Sequence, residues 1–132
     1  MKIKTSHLSG IKLDYAVILA SGNAREIVDP IDSRSLVDEF KLRWEEGEFR
    51  FSSEWGQGGQ IIDREGISTT PCYTGGRRNT GADAWRADIA FKDGIFTLGE
   101  NTQYAVSALI AAMRCYVQSR LGDEVEIPEE LL

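Results

Sequence analysis

The chain has 132 residues, the size of one domain, and its 42% hydrophobic and 27% charged residues exclude a disordered or fibrous polypeptide. The formal net charge is −6, and five acids, Asp123, Glu124, Glu126, Glu129 and Glu130, stand within the last ten residues, which leaves the body of the chain near neutral. With no basic helix or stripe to displace counterions, duplex nucleic acid is excluded as a main partner.

In chain order, Met1 to Lys4 alternates as a short strand, and Thr5, Ser6 and Ser9 offer hydroxyls suited to a helix start. From Ile11, the residues Leu13, Tyr15, Ala16, Val17 and Ala20 fit one broad helical face, which Ser21-Gly22-Asn23 ends. Ala24 to Glu39 mixes Pro30 with acids and serines and reads as an irregular connection, with one short strand near Glu26 to Val28. Phe40, Leu42 and Trp44 alternate, Glu45-Glu46-Gly47 supplies turn chemistry, and Phe49 and Phe51 resume the alternation, so a hairpin is predicted here.

A second hairpin is predicted from Trp85, Ala87, Ile89 and Phe91, a turn at Lys92-Asp93-Gly94, and then Phe96 and Leu98. Thr102 to Leu121 carries Tyr104, Ala105, Ala108, Leu109, Ala112, Cys115 and Tyr116 on one stripe, which predicts a helix with Gly122 as terminator. Val125 and Ile127 alternate with acids before Pro128 and read as an edge strand. With no repeat and no linker, residues 1–132 are expected to form a single α+β domain. Its mainly antiparallel sheet packs against a long C-terminal helix and a shorter N-terminal one. A homo-oligomer stays open, and the acidic end at 123–132 reads either as a solvating terminus or as a dock for a basic protein.

The longest nearly apolar stretch, Tyr104 to Met113, covers about half of the ~20 residues needed to cross a bilayer, and Met1 to Asp14 lacks a signal-peptide core. No membrane association is expected. Cys72 and Cys115 are too few for a disulfide framework and have no metal-ligand spacing, so reduced thiols in a cytoplasm, with no bound metal or cofactor, are the simplest reading.

His7 is the only histidine, and its place beside capping residues suits a surface or cap role better than a Ser-His-Asp or Cys-His system. A non-enzymatic protein is expected, although carboxylate-only chemistry at Asp63 or Glu65 stays open. Gly75 to Gly81 lacks the spacing and Lys-Ser/Thr ending of a P-loop and reads as a surface loop, with Arg77 and Arg78 able to grip an anion. The middle of the chain is richer. Ser52, Ser53, Gln57, Gly58, Gly59 and Arg64 put hydroxyl, amide, backbone and guanidinium donors close to Trp55, a set suited to stacking on a base or ribose and gripping phosphates. The alternative is architectural: Trp55 fills core space, Ser53 or Glu54 caps the turn, and Gly58-Gly59 makes a tight bend.

Three blocks resemble the NinX-like proteins of temperate, lambdoid phages. The first runs Met1-Lys2-Ile3-Lys4-Thr5-Ser6 with Leu8, Gly10 and Leu13-Asp14-Tyr15-Ala16-Val17, and the second runs Phe51-Ser52-Ser53-Glu54-Trp55-Gly56-Gln57-Gly58-Gly59-Gln60-Ile61-Ile62-Asp63-Arg64-Glu65. The third is Ala108 to Val117 followed by Leu121-Gly122-Asp123-Glu124-Val125 and Pro128. The chain departs from the family pattern at Glu54 and Gln60, where Asp and Pro are expected, and in a longer glycine-rich excursion from Tyr73 to Asp83. The resemblance implies a phage accessory protein acting in the host cytoplasm. Together with the middle block it points to a small nucleotide-like ligand, such as a host immune signal held out of circulation. The rival expectation is a module that inhibits or redirects a host protein, and a small nucleotide-acting enzyme is the third.

Overall fold

A computed structural model describes residues 1–22, 36–73 and 83–132. The segment expected to hold a short strand at Glu26 to Val28 and the loop from Gly75 to Gly81 lie outside the described residues. The order is β1 (Lys2–Lys4), a 3-10 turn (Thr5–His7), α1 (Gly10–Ser21), α2 (Leu36–Glu45), α3 (Trp55–Glu65), β2 (Ile67–Cys72) and β3 (Ala84–Ile89). There follow β4 (Phe91–Lys92), β5 (Ile95–Phe96), β6 (Gln103–Ala105), α4 (Ala108–Leu121), β7 (Glu124–Glu126) and a last 3-10 turn (Glu129–Leu131). All strand pairings among the described residues are antiparallel: β1 with β7, the three-stranded sheet β2-β3-β6, and the hairpin β4-β5.

The long C-terminal helix is the centre of the α+β fold. α4 touches β2, β3 and β6 as well as α1 and α3, and it buries Leu109, Ala111, Ala112, Met113, Cys115, Tyr116 and Val117, more than one helical face. Alanines at 111 and 112 let its neighbours come close, while Tyr116 and Met113 supply the volume. α1 is buried almost as completely, through Leu13, Tyr15, Ala16, Val17, Ile18 and Ala20, and ends where Gly22 takes a left-handed φ of 73°. The predicted N-terminal helix and its terminator are therefore observed. Thr5 does not cap it; its hydroxyl donates to the Gly122 carbonyl at 2.7 Å and ties β1 to the end of α4.

The α4 boundary differs from the predicted start at Thr102. Gln103 to Ala105 pairs with Ala87 to Trp85 as β6, and the helix begins only after Ser107, whose Oγ accepts the Ile110 N–H at 3.1 Å. Tyr104 consequently points outward rather than joining the helical stripe. The hairpin predicted beyond Trp85 is also rearranged. β3 takes Ala84–Ile89 into the central sheet with β2, in register Ile67 with Ile89 and Pro71 with Trp85, and only the short β4-β5 pair forms the hairpin around Asp93-Gly94. The acidic end is ordered: Glu124 and Glu126 face out from β7 while Val125, Ile127 and Leu131 enter the core.

Two expectations from the sequence fail, one from periodicity and one, an alternative reading, from glycine content. Phe40, Leu42 and Trp44 are not a strand but part of α2, because Leu36, Phe40 and Trp44 recur at the four-residue spacing of a helix and turn to the core, leaving Leu42 exposed. The glycine-rich block at Trp55 is not a bend but the eleven-residue α3, ended by Gly66 at φ 64°. Each internal glycine costs a helix about 1 kcal/mol, so α3 depends on tertiary packing.

Cys115 is buried in α4 and Cys72 is half-buried on β2, and neither is paired. No helix among the described residues is long and apolar enough to cross a membrane. The packing of α4 generates a direct test. Ala112 is fully buried, so Ala112→Asp places an unpaired charge in the core and is expected to cost several kcal/mol, at least ~3. A thermal melt is expected to show loss of the cooperative transition or a large drop in its midpoint.

Candidate functional site

The site is built around one buried carboxylate. Asp14 on α1 is only 1% exposed, and its two oxygens accept the Trp44 indole N–H at 2.9 Å and the Ser52 backbone N–H at 2.8 Å. One side chain thereby fixes α1, α2 and the connection that leads into α3. Burial pushes its pKa above the usual carboxylate value of 3.8, against the opposing pull of the Trp44 and Ser52 hydrogen bonds and the charge of Arg50.

Arg50 and Gln57 close the connection. The Arg50 guanidinium lies 3.7 Å above the Trp44 ring and donates to the Trp44 carbonyl at 2.9 Å. From α3, the Gln57 amide accepts the Arg50 N–H at 2.6 Å and donates to the Gly47 carbonyl at 3.0 Å. Within the loop so pinned, Phe49 sits at φ 58°, a left-handed conformation that costs a bulky residue about 1–2 kcal/mol. Its ring is stacked on Phe40, with centroids 5.8 Å apart, and lies next to Phe51. Strain of this kind is held by the surrounding contacts and collects at binding sites.

Between α1, α2, this loop and α3 lies a cleft of about 200 Å³. Val17, Ile18, Ile61, Phe49 and Phe51 give it an apolar lining, and Ser21, Arg43, Gln57, Gln60 and Arg64 bring polar groups to it. Arg43 reaches it from α2, with its guanidinium 4.7 Å from the Phe49 ring centroid and a two-bond fork to Glu48 at 3.0 and 3.1 Å. Arg64 reaches it from α3, pairs with Glu65 at 3.0 Å and lies 5.9 Å from the Tyr116 ring centroid. Glu65 also binds Arg120 at 3.3 Å.

The residues singled out from sequence are therefore divided by the fold. Gln57 and Arg64 line the cleft. Ser52 is buried with its N–H on Asp14, and Ser53 is exposed on the loop. Trp55, 58% exposed, is the first residue of α3 and lies over Gly59 rather than among the cleft residues. Gly58 is buried where α3 meets the loop and α4. Sequence reasoning did not single out Arg43, Phe49, Phe51, Gln60 and Ile61 as a site. The repeat of Leu36, Phe40 and Trp44 was the signal that could have placed Arg43 on a helix.

The described residues offer no cluster of three metal-ligating side chains, and burial raises the Cys115 thiol to about 12, which keeps it protonated and unreactive. What the cleft presents is two guanidiniums and amide donors beside aromatic rings. That combination suits recognition of a planar anion.

Two stability tests follow from this geometry. A methyl group on Gly58 would stand 2.1 Å from the Phe51 carbonyl oxygen and 2.6 Å from Leu109 Cδ1. Gly58→Ala is expected to cost about 1–3 kcal/mol through overpacking, measured as a lower urea midpoint, although alanine is the better helix former. Asp14 gives the second. A raised folded pKa means that the folded state holds the proton more tightly, so this group's stabilising contribution is complete below pH 3.8 and is lost as pH rises through the folded pKa. Urea titrations across that window are expected to show wild type losing stability relative to the Asp14→Asn variant as pH increases.

No curated protein matches the chain. The model of the family described as Bacteriophage P22, NinX matches residues 4–120, a span that takes in α1, α2, α3 and the central sheet and reaches Arg120 near the end of α4. The chain belongs to the NinX family of phage proteins.

Proposed function

We propose that this protein is a non-enzymatic phage accessory protein that binds a small nucleotide-like anion in the cleft between α1, α2 and α3, and that it holds a host immune signal out of circulation. The observation that carries this reading is the pairing of Arg43 and Arg64, from separate helices, with the Phe49 and Phe51 rings in one cavity. Guanidinium forks match phosphate oxygens, and the aromatic wall matches a base. The volume narrows the ligand. About 200 Å³ is below the ~300–1,000 Å³ of ordinary small-molecule sites, so the cleft takes one ring with its phosphate while the remainder of a larger ligand stays outside.

A second reading draws on another surface. Phe91, Ile95, Phe96 and Leu98 are exposed on and beside the β4-β5 hairpin, and exposed apolar patches commonly mark protein-binding sites. On this reading the protein inhibits or redirects a host factor.

A thermal-shift panel separates the two. Nucleosides, nucleoside diphosphates, cyclic dinucleotides and cyclic ADP-ribose-like compounds are tested against wild type and the Arg64→Ala variant. A bound ligand at about a hundred times its dissociation constant adds roughly 2.7 kcal/mol, a shift of several degrees. Diphosphates are expected to shift the melt more than nucleosides, and Arg64→Ala to abolish most of the shift. The unliganded melt of the variant should stay close to wild type, because Arg64 makes an exposed ion pair. Bound ligand recovered unchanged supports sequestration, and turnover contradicts it. A panel without effect, together with a host protein that copurifies with wild type but not with a Phe91→Ser/Phe96→Ser double variant, replaces the ligand reading with the second.

A further inference from the structure

The cleft contains its own anion. Arg43 lines it, yet the Nε/Nη2 edge of its guanidinium is already taken: Nε donates to Glu48 Oε2 at 3.0 Å and Nη2 to Glu48 Oε1 at 3.1 Å. This is the two-bond geometry in which arginine holds a phosphate.

We propose that Glu48 is a built-in competitor for the ligand's phosphate, occupying the Arg43 fork until an oxyanion with the same two-point geometry replaces it. The inference rests on the reading of the cleft as an anion site and assigns a regulatory residue to that site.

The local backbone places Glu48 for this role. Its N–H donates to the Arg43 carbonyl at 3.0 Å, which fastens it back onto the end of α2. It stands between Gly47 at φ 98° and Phe49 at φ 58°, two left-handed residues whose turn is clamped from α3 by Gln57 on the Gly47 carbonyl. The carboxylate is thus delivered to Arg43 by a fixed turn, while the Phe49 ring beneath the guanidinium holds the plane of the fork against the cleft wall. Arg43 in turn holds the Glu48 carboxyl below its usual range.

The exchange is cheap on the Glu48 side. Its side chain is already half in water, so release restores hydration rather than stranding a buried charge, and exposed ion pairs contribute little to stability. Arg64 differs. Its counter-ion Glu65 also binds Arg120, so Glu65 keeps a cation when Arg64 turns to a ligand. Glu48 binds no second cation among the described residues. It is also a filter: a nucleoside has no oxyanion to replace the carboxylate, whereas a phosphate does.

Titration calorimetry with ADP, inorganic pyrophosphate and adenosine tests this on wild type and on Glu48→Gln, Glu46→Gln and Arg43→Ala variants. Glu46→Gln removes the same charge from the same turn without touching the fork. Circular dichroism melts verify that each variant is folded. Glu48→Gln is expected to bind ADP and pyrophosphate about three-fold more tightly or better, the equilibrium weight of an exposed ion pair. Adenosine binding should be unchanged, Glu46→Gln should resemble wild type, and Arg43→Ala should weaken both phosphate probes. If wild type binds ADP but Glu48→Gln binds it no better, the competitor role is overturned and the cleft reading stands. Equal tightening by Glu46→Gln also overturns it, since general charge repulsion then accounts for the effect. If neither wild type nor Glu48→Gln binds ADP or pyrophosphate, the cleft reading fails and the competitor role fails with it.

Discussion

The arrangement of the cleft depends on Asp14. A carboxylate in the interior is costly unless its oxygens are used, and here both are used, by the indole of α2 and by a backbone amide of the connection after it. The bonds reach 30 and 38 residues along the chain, so a polar interaction, rather than apolar packing alone, sets how α2 and the 46–54 connection stand against α1. Arg50 then covers the face of the Trp44 indole. Trp44 is thereby held through its N–H, its ring face and its carbonyl. Arg43, the residue before it, inherits that fixed position at the cleft.

α3 is fixed by the absence of a side chain. Gly58 sits against the Phe51 carbonyl and Leu109 with no space for a methyl group, so the helix approaches the connection and α4 more closely than any other residue type would allow. The same close approach brings Gln57 within hydrogen-bond distance of Gly47 and Arg50, and it sets Ile61 and Arg64, three and six residues on, along the cleft. A helix with weak intrinsic propensity is stable here because Gly58 permits the packing that compensates for it.

This explains what the sequence could and could not disclose. α1, α4, β1 and β7 were legible because their apolar periodicity and their terminators, Gly22 and Gly122, all agree with the final fold. α2 was not, because Phe40, Leu42 and Trp44 satisfy a two-residue alternation as readily as Leu36, Phe40 and Trp44 satisfy a helical one, and Asp14 30 residues away decides between them. α3 was hidden because three glycines oppose a helix locally, and only one of them, Gly58, is required by close packing, against Phe51 and Leu109. The candidate site was legible in part for the same reason. Gln57 and Arg64 share the glycine-rich block that drew attention, whereas Arg43, Phe49 and the α1 residues enter the cleft from elements whose juxtaposition is a tertiary fact.

The two guanidiniums also show why charge composition is a poor guide to such a site. The chain is acidic overall, and each cleft arginine has a carboxylate partner, Glu48 or Glu65, so no basic patch is evident from counting. The cation character lies in geometry instead: each fork lies near an aromatic ring, Phe49 for Arg43 and Tyr116 for Arg64, and each partner carboxylate reaches water or a second arginine. Such pairs suppress nonspecific attraction of polyanions at long range, where the opposed charges cancel and salt screens what is left. On the proposed reading, they yield at contact distance to an anion that matches the fork and also fills the apolar cleft. Selectivity of this kind follows from a requirement for two simultaneous fits, of charge and of shape, where a bare basic patch would impose only the first.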